Sequence, residues 1–550
     1  MKNFFLCILF LGVLSCTSST DIVIENPPFS VGTHSKVFIT EVRMNKKATF
    51  LTMTIVFEPN FSYTVSSDAY IVVNGKTHIV KSVDGIEFDK NIQPDKSDKA
   101  VFTLEFDAID QEAKQLDFLE GDCERCFKIW GVELKSDVVT NRPEVPQEVK
   151  DSAIVTEDGE SLEIPQFKAG KATLRGRYIG YVPDMNWTVN IQTFDPITGL
   201  NEEFGTPVMD DGSFELQVPM VIPMQVSFSS FSFNECVLLS PNEETTVYID
   251  LPQMSCQQAQ HRVDKCPESK YVYFGGANAE INNQFCDLKI LGDISDHFFN
   301  EQIFKDISGM TVEKYRSYIL FKMNRATKQL ERKSLTKKAH ELATINIRLK
   351  ASFCLLNINS FMMQSYSRFL NNKDKDLLAG YNFTALDDDY FSFIKDFGLN
   401  RQKNLYCNDF IFLFGTLTNM VNEDVNGYVY QQLINKGLID KEDIEMAEYM
   451  KKQKFDDMDS ETHQKMAKFW EKYSGLINIE TRKTTITKLK YKLENTLETS
   501  EGIIFDLIET HQSGFNLKNN IPIPEDDLRN ISKMNNRIYY EHLKEKNDQL

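Results

Sequence analysis

Cys123-Glu-Arg-Cys126 has the spacing of a pair that can do redox chemistry, because two cysteines three apart close a small disulfide ring and a helix N-terminus behind them would stabilise the thiolate. The residues that follow, Phe127-Lys-Ile-Trp-Gly-Val-Glu-Leu, read instead as a strand. The pair is therefore expected as a structural disulfide in a β-turn or as two thiols, with redox activity as the alternative. Cys256 and Cys266 flank a polar loop containing His261, which suits a disulfide-closed loop better than three ligands of a metal. Cys236 and Cys286 lie in apolar β context and Cys354 in a helical stripe, so burial is expected for all three; Cys407 carries no assignment. His340-Glu341 opens like the zinc helix H-E-x-x-H, but Thr344 stands where the second imidazole must be. Asp387, Asp388 and Asp389 lack the alternating ligands and the glycine of a calcium loop and read as the start of a capped helix. With no G-x-S-x-G, Walker loop or dinucleotide fingerprint, no catalytic residue, cofactor or metal site is expected.

The start of the chain fixes a compartment. Lys2 precedes an apolar run from Phe4 to Leu14, too short to span a membrane as a mature helix, and the run ends in Val13-Leu14-Ser15-Cys16. This resembles a bacterial lipobox and implies a diacylated Cys16 followed by the polar tether Thr-Ser-Ser-Thr. The expectation is a lipid-anchored protein of the outer membrane or cell envelope, facing the periplasm or the cell surface, whose partners are the membrane through its anchor and an envelope protein or ligand. With Cys7 in the leader and Cys16 carrying lipid, eight cysteines remain where disulfides are permitted, too few for a disulfide scaffold in so long a chain.

Elements of two kinds must position these residues. Fifteen of the 17 prolines precede residue 290, and residues 21–290 hold 23 Lys and Arg against 42 Asp and Glu, so the acidity belongs to the front half. A net charge of −19 over 550 residues repels a phosphate backbone, and nucleic acid is excluded as a partner. Alternating runs such as KVFITEVRM and AVFTLEFDAI predict strands over 36–138, with Asn74-Gly75 as a two-residue hairpin turn. A second set over 169–256 includes TLRGRYIGYV and TVYIDL, with Asp211-Gly212 as its plainest turn. After 290 the period becomes helical, and eight to ten helices are expected. The fold class is multidomain α+β: two antiparallel β-sandwich-like modules followed by an all-α domain. The expected boundaries are a signal peptide at 1–15, a tether at 16–35, a β domain at 36–138, an acidic linker at 139–168, a second β domain at 169–256, a connector at 257–290 and helices over 291–550.

Several segments together are similar to the front part of Bacteroidetes thiol-disulfide oxidoreductase lipoproteins of the TlpA, thioredoxin-like type. They are the lipobox, Asp117-Phe-Leu-Glu-Gly-Asp122 through Phe127-Lys-Ile-Trp-Gly131, Leu239-Ser-Pro-Asn-Glu243 before Thr246-Val-Tyr-Ile-Asp250, Tyr273-Phe-Gly-Gly276 through Asn282-Asn283, and Ile523-Pro-Glu-Asp-Asp527 through Asn547. In that family a W-C-x-x-C dithiol lies in a C-terminal thioredoxin domain. Nothing here matches it, so the resemblance implies architecture and location without the activity. The expectation is a non-catalytic accessory or binding form. One alternative is a thiol-disulfide oxidoreductase of envelope redox homeostasis working through Cys123 and Cys126, and the other a glycan-binding surface lipoprotein using aromatics such as Trp187.

Overall fold

The structure, a computed structural model, describes residues 21–57, 62–95, 98–123, 126–135, 144–152, 159–230, 233–258, 269–286, 288, 301–369, 386–421, 425–452 and 460–550. Cys16, the residue expected to carry lipid, lies outside them, as do His261 and Cys266.

Two five-stranded antiparallel sheets form the first sandwich. In spatial order one contains Ile22–Glu25, Val37–Met44, Ala48–Val56, Lys99–Asp107 and Ser82–Asp84; the other contains Val31–Gly32, Lys128–Glu133, Gln115–Leu119, Tyr70–Val73 and Lys76–Ile79. The period-2 pattern works as expected. In Lys99–Asp107 the residues Ala100, Phe102, Leu104 and Phe106 are buried while Val101 points to solvent. Asn74 and Gly75 have φ of 49° and 75°, the positive values a type I′ turn demands. Sandwich structure starts earlier than expected: Ile22–Glu25 pairs with Val37–Met44, and Val31–Gly32 with Lys128–Glu133, so part of the expected tether belongs to the sheets.

The second sandwich stacks Ser213–Met220, Gly170–Ile179, Glu244–Asp250 and Val272–Gly276 against Asn201–Pro207, Thr188–Phe194, Met224–Ser230 and Phe233–Leu239. One pairing is parallel, Gly170–Ile179 with Glu244–Asp250, where an antiparallel ladder was expected. A long crossover makes that possible, whereas a hairpin could not. The last strand of the first of these sheets, Val272–Gly276, comes from the expected connector. The acidic linker is also partly docked, since Val145 and, from helix Gln147–Ser152, Val149 pack on Ile179, and Leu162 enters the main core.

Past residue 300 the described residues form twelve α-helical segments, more than the eight to ten expected because several are only one or two turns long. Thr311 and Thr336 cap Val312–Leu330 and Lys337–Leu356 with their side chains. Asp387 accepts the Tyr390 N–H at 2.8 Å, the capping role expected of that acidic run. Helix Ala279–Phe285 fastens the sandwich to the helices. Its Asn282 amide bonds both the N–H and the C=O of Leu238, and Asn283 does the same to Phe274, so two side chains imitate a strand partner. One continuous core runs from the second sandwich into the helices, whereas the first sandwich has its own.

Candidate functional site

The sequence Asp195-Pro-Ile-Thr-Gly-Leu turns the chain between Thr188–Phe194 and Asn201–Pro207. One Asp195 carboxylate oxygen accepts the N–H of Ile197 at 2.9 Å and of Thr198 at 3.3 Å, the local bonding that makes aspartate a turn former. Gly199 closes the turn at a φ of 69°, and a side chain there would strike the His511 ring. Helix Ile503–Lys518 lies against the turn, with Gly514 beneath it: a Cβ on Gly514 would come within 1.9 Å of the Thr198 carbonyl. His511 donates from Nε2 to the Pro196 carbonyl at 3.0 Å, and burial pushes its pKa down to about 4, so the ring is neutral.

The C-terminal helix Arg537–Asn547 covers the other side. His542 and Lys546, one turn apart, both reach the second Asp195 oxygen, at 2.5 and 3.2 Å, and Lys546 also bonds Glu202 at 2.5 Å. Asp195 is only 3% exposed. Burial alone would raise its pKa, but the His542 hydrogen bond and the Lys546 charge outweigh burial and hold the carboxyl below the usual range. Lys546 is shifted upward, because Asp195 and Glu202 overcome its own desolvation.

Beside this network opens a cleft of about 510 Å³, within the range of small-molecule sites. Phe194, Phe204, Pro219, Met220 and Met224 give it an apolar floor; Lys171, Glu545 and Gln549 stand at its lip. The Thr193 hydroxyl, 3% exposed, lines it and donates only to the Met224 thioether, at 3.7 Å. A sulfur is a weak acceptor, which leaves this oxygen with hydrogen-bonding capacity to spare.

None of the residues singled out in the sequence lies in this cleft. Cys123 and Cys126 form a disulfide at the tip of the hairpin Gln115–Leu119/Lys128–Glu133. Cys256 is disulfide-bonded. Cys354 is buried as expected, and Cys407 is buried too; Cys236 is exposed on an edge strand and Cys286 half-buried, contrary to the expectation of burial. Glu341 pairs with Lys403 at 2.9 Å. Trp187 is 5% exposed, packed edge-on to Tyr178, and so is not a surface platform for a sugar. Asp440, Glu442 and Asp443 converge, and Lys472 occupies their centre at 2.7 Å from both aspartates. Sequence reading missed Asp195, Glu202, His542 and Lys546; the legible signals were the i, i+4 pair on the last helix and the Asp-Pro-x-x-Gly turn, with nothing to join them.

No described helix is long and apolar enough to cross a membrane. No family model, curated protein or solved structure matches the chain.

Proposed function

We propose that the chain is a lipid-anchored accessory protein of the cell envelope that binds a small molecule without transforming it, held to the membrane through Cys16 and taking its ligand in the cleft between the second sandwich and the C-terminal helix. The cleft carries this reading. It joins an apolar floor to a few fixed polar groups, the combination that small-molecule sites use for affinity and orientation. A general acid or base needs a pKa near the working pH, and Asp195 is held well below it by its hydrogen bond to His542 and the charge of Lys546, an arrangement that suits recognition better than proton transfer. The lipobox and the family resemblance support the compartment and the accessory role.

The test is native mass spectrometry of the protein extracted from its own membranes and of the delipidated protein exposed to an envelope metabolite extract. A retained adduct of a few hundred daltons is expected for the wild type. It should be lost in Ala169→Trp, which fills the lip of the cleft and leaves the Asp195 network intact. Failure to retain any adduct from either source would sink the binding role, and recovery of Cys16→Ala in the membrane fraction would sink the anchor.

A further inference from the structure

We propose that the Cys123–Cys126 disulfide is an exchangeable redox site, at which the first sandwich accepts two electrons from a protein dithiol, with Cys123 as the sulfur attacked and Cys126 as the leaving group. This goes beyond the ligand cleft and does not depend on it.

The two sulfurs differ in access. Cys123 is exposed, while Cys126 is 8% exposed and tucked against Gly121, where a Cβ would lie 3.2 Å from the Cys126 Sγ. Cys123 is therefore the residue more open to an incoming thiolate, the asymmetry that makes exchange directional. Glu120, the neighbour of Gly121, is 7% exposed, and its Oε2 accepts the N–H of Phe127, the residue after Cys126, at 3.0 Å. The Glu120 N–H in turn donates to the Phe127 carbonyl at 3.1 Å, so backbone and carboxyl together pin the strand carrying Cys126. Burial raises the Glu120 carboxyl against the backbone N–H bonds from Phe127 and Ser66 that lower it, and the charge of Asp89 adds to the rise. Phe118 and Phe127, two residues before Glu120 and one after Cys126, stack in the sandwich core with ring centroids 5.6 Å apart.

The reaction balances. A thiolate of the partner attacks Cys123 Sγ, forming a mixed disulfide and breaking the bond to Cys126, whose sulfur leaves with the electron pair and takes up a proton. The partner's second thiolate then attacks its own sulfur in the mixed disulfide, and Cys123 leaves and is protonated. The hairpin disulfide has gained two electrons and two protons, and the partner dithiol has become a disulfide. Glu120 is a positioning residue: it keeps Cys126 in place while the bond is open, so reclosure is fast.

The experiment equilibrates the full chain with graded ratios of reduced and oxidised glutathione, quenches with acid and maps alkylated cysteines by mass. Half-reduction of the pair is expected at a ratio within roughly a hundredfold of that for a thioredoxin-type dithiol. Cys126→Ser should take one glutathione on Cys123, and Cys123→Ser should react at Cys126 at least about tenfold more slowly because that sulfur is covered. Glu120→Gln, whose amide oxygen still accepts the Phe127 N–H, should change the pH profile of the reduction rate while leaving the melting temperature nearly unchanged. A disulfide reduced only when the sandwich unfolds, or equal reactivity of the two sulfurs, would overturn the proposal. An unaltered pH profile in Glu120→Gln would remove Glu120 from it.

Discussion

The two sandwiches solve one problem in different ways. The first closes a core of its own from residues such as Val42, Leu51, Leu104, Phe106 and Phe118, and meets the rest of the protein at a small joint, where the Gly32 N–H reaches Ser255 at 3.3 Å and Val31 and Trp130 touch the neighbouring core. The second leaves its own core open and completes it with helices, through Asn282 and Asn283 on one side and the Asp195 turn on the other. A module that closes on itself can fold alone; one that shares its core cannot. The first sandwich should therefore behave as a separate cooperative unit, and the second sandwich with the helices as another.

Two substitutions should separate these units most strongly. Asp195→Ala takes the carboxylate from His542 and from the N–H groups of Ile197 and Thr198, leaves Lys546 only Glu202, and should cost about 3–5 kcal/mol in the shared unit alone. Phe106→Ala empties a fully buried site and should cost a similar amount, about 3–5 kcal/mol, in the first sandwich alone. Calorimetry should show two transitions, each moved by one variant; a single transition moved by both would break the comparison. Acid is the next probe. His511 is neutral when folded because its pKa is lowered to about 4, so below pH 6.5 the unfolded chain binds a proton that the folded one refuses, and stability falls as pH drops from 6.5 towards 4, by about 3 kcal/mol. Asp195, lowered when folded, adds a further loss as the pH falls below the ordinary carboxylate range. In the first sandwich the buried carboxyls Asp117 and Glu120 are raised, so their contribution grows on acidification and opposes that of His34, whose pKa is lowered by burial. The first transition should therefore be flatter than the second between pH 6.5 and 4; equal slopes would remove His511 as the acid-sensitive group.

Smaller effects refine the joint between sandwich and helices. Asn282→Ala strands the N–H and C=O of Leu238 in the core, a loss of about 2–3 kcal/mol confined to the shared unit. Gly514→Ala forces a methyl onto the Thr198 carbonyl and should cost about 1–3 kcal/mol, read as a lower denaturant midpoint with an unchanged slope. If it instead leaves the midpoint fixed while weakening ligand retention, the helix has shifted and the cleft has absorbed the strain.

What the sequence disclosed follows from the range of the forces involved. Alternation in Lys99–Asp107, the Asn74-Gly75 turn and the capping acids near Asp387 are local, and a local rule suffices for them. The parallel pairing of Gly170–Ile179 with Glu244–Asp250 and the strand borrowed from Val272–Gly276 are long-range choices that no window of residues contains. The cleft was hidden for the same reason: His542 and Asp195 are 347 positions apart, and each reads separately as an ordinary helix face and an ordinary turn. Trp187 misled in the opposite sense, since an isolated aromatic suggests a surface platform while its ring fills the core beside Tyr178.

That separation of 347 residues also has a meaning in time. At roughly 5–20 residues per second of synthesis, Asp195 is made about 20–70 s before the helix that neutralises it. Throughout that interval the turn is a solvated carboxylate beside an uncovered apolar floor. The second sandwich stays unfinished over that interval, while the first, whose last strand ends at Glu133, can already be folded ahead of it.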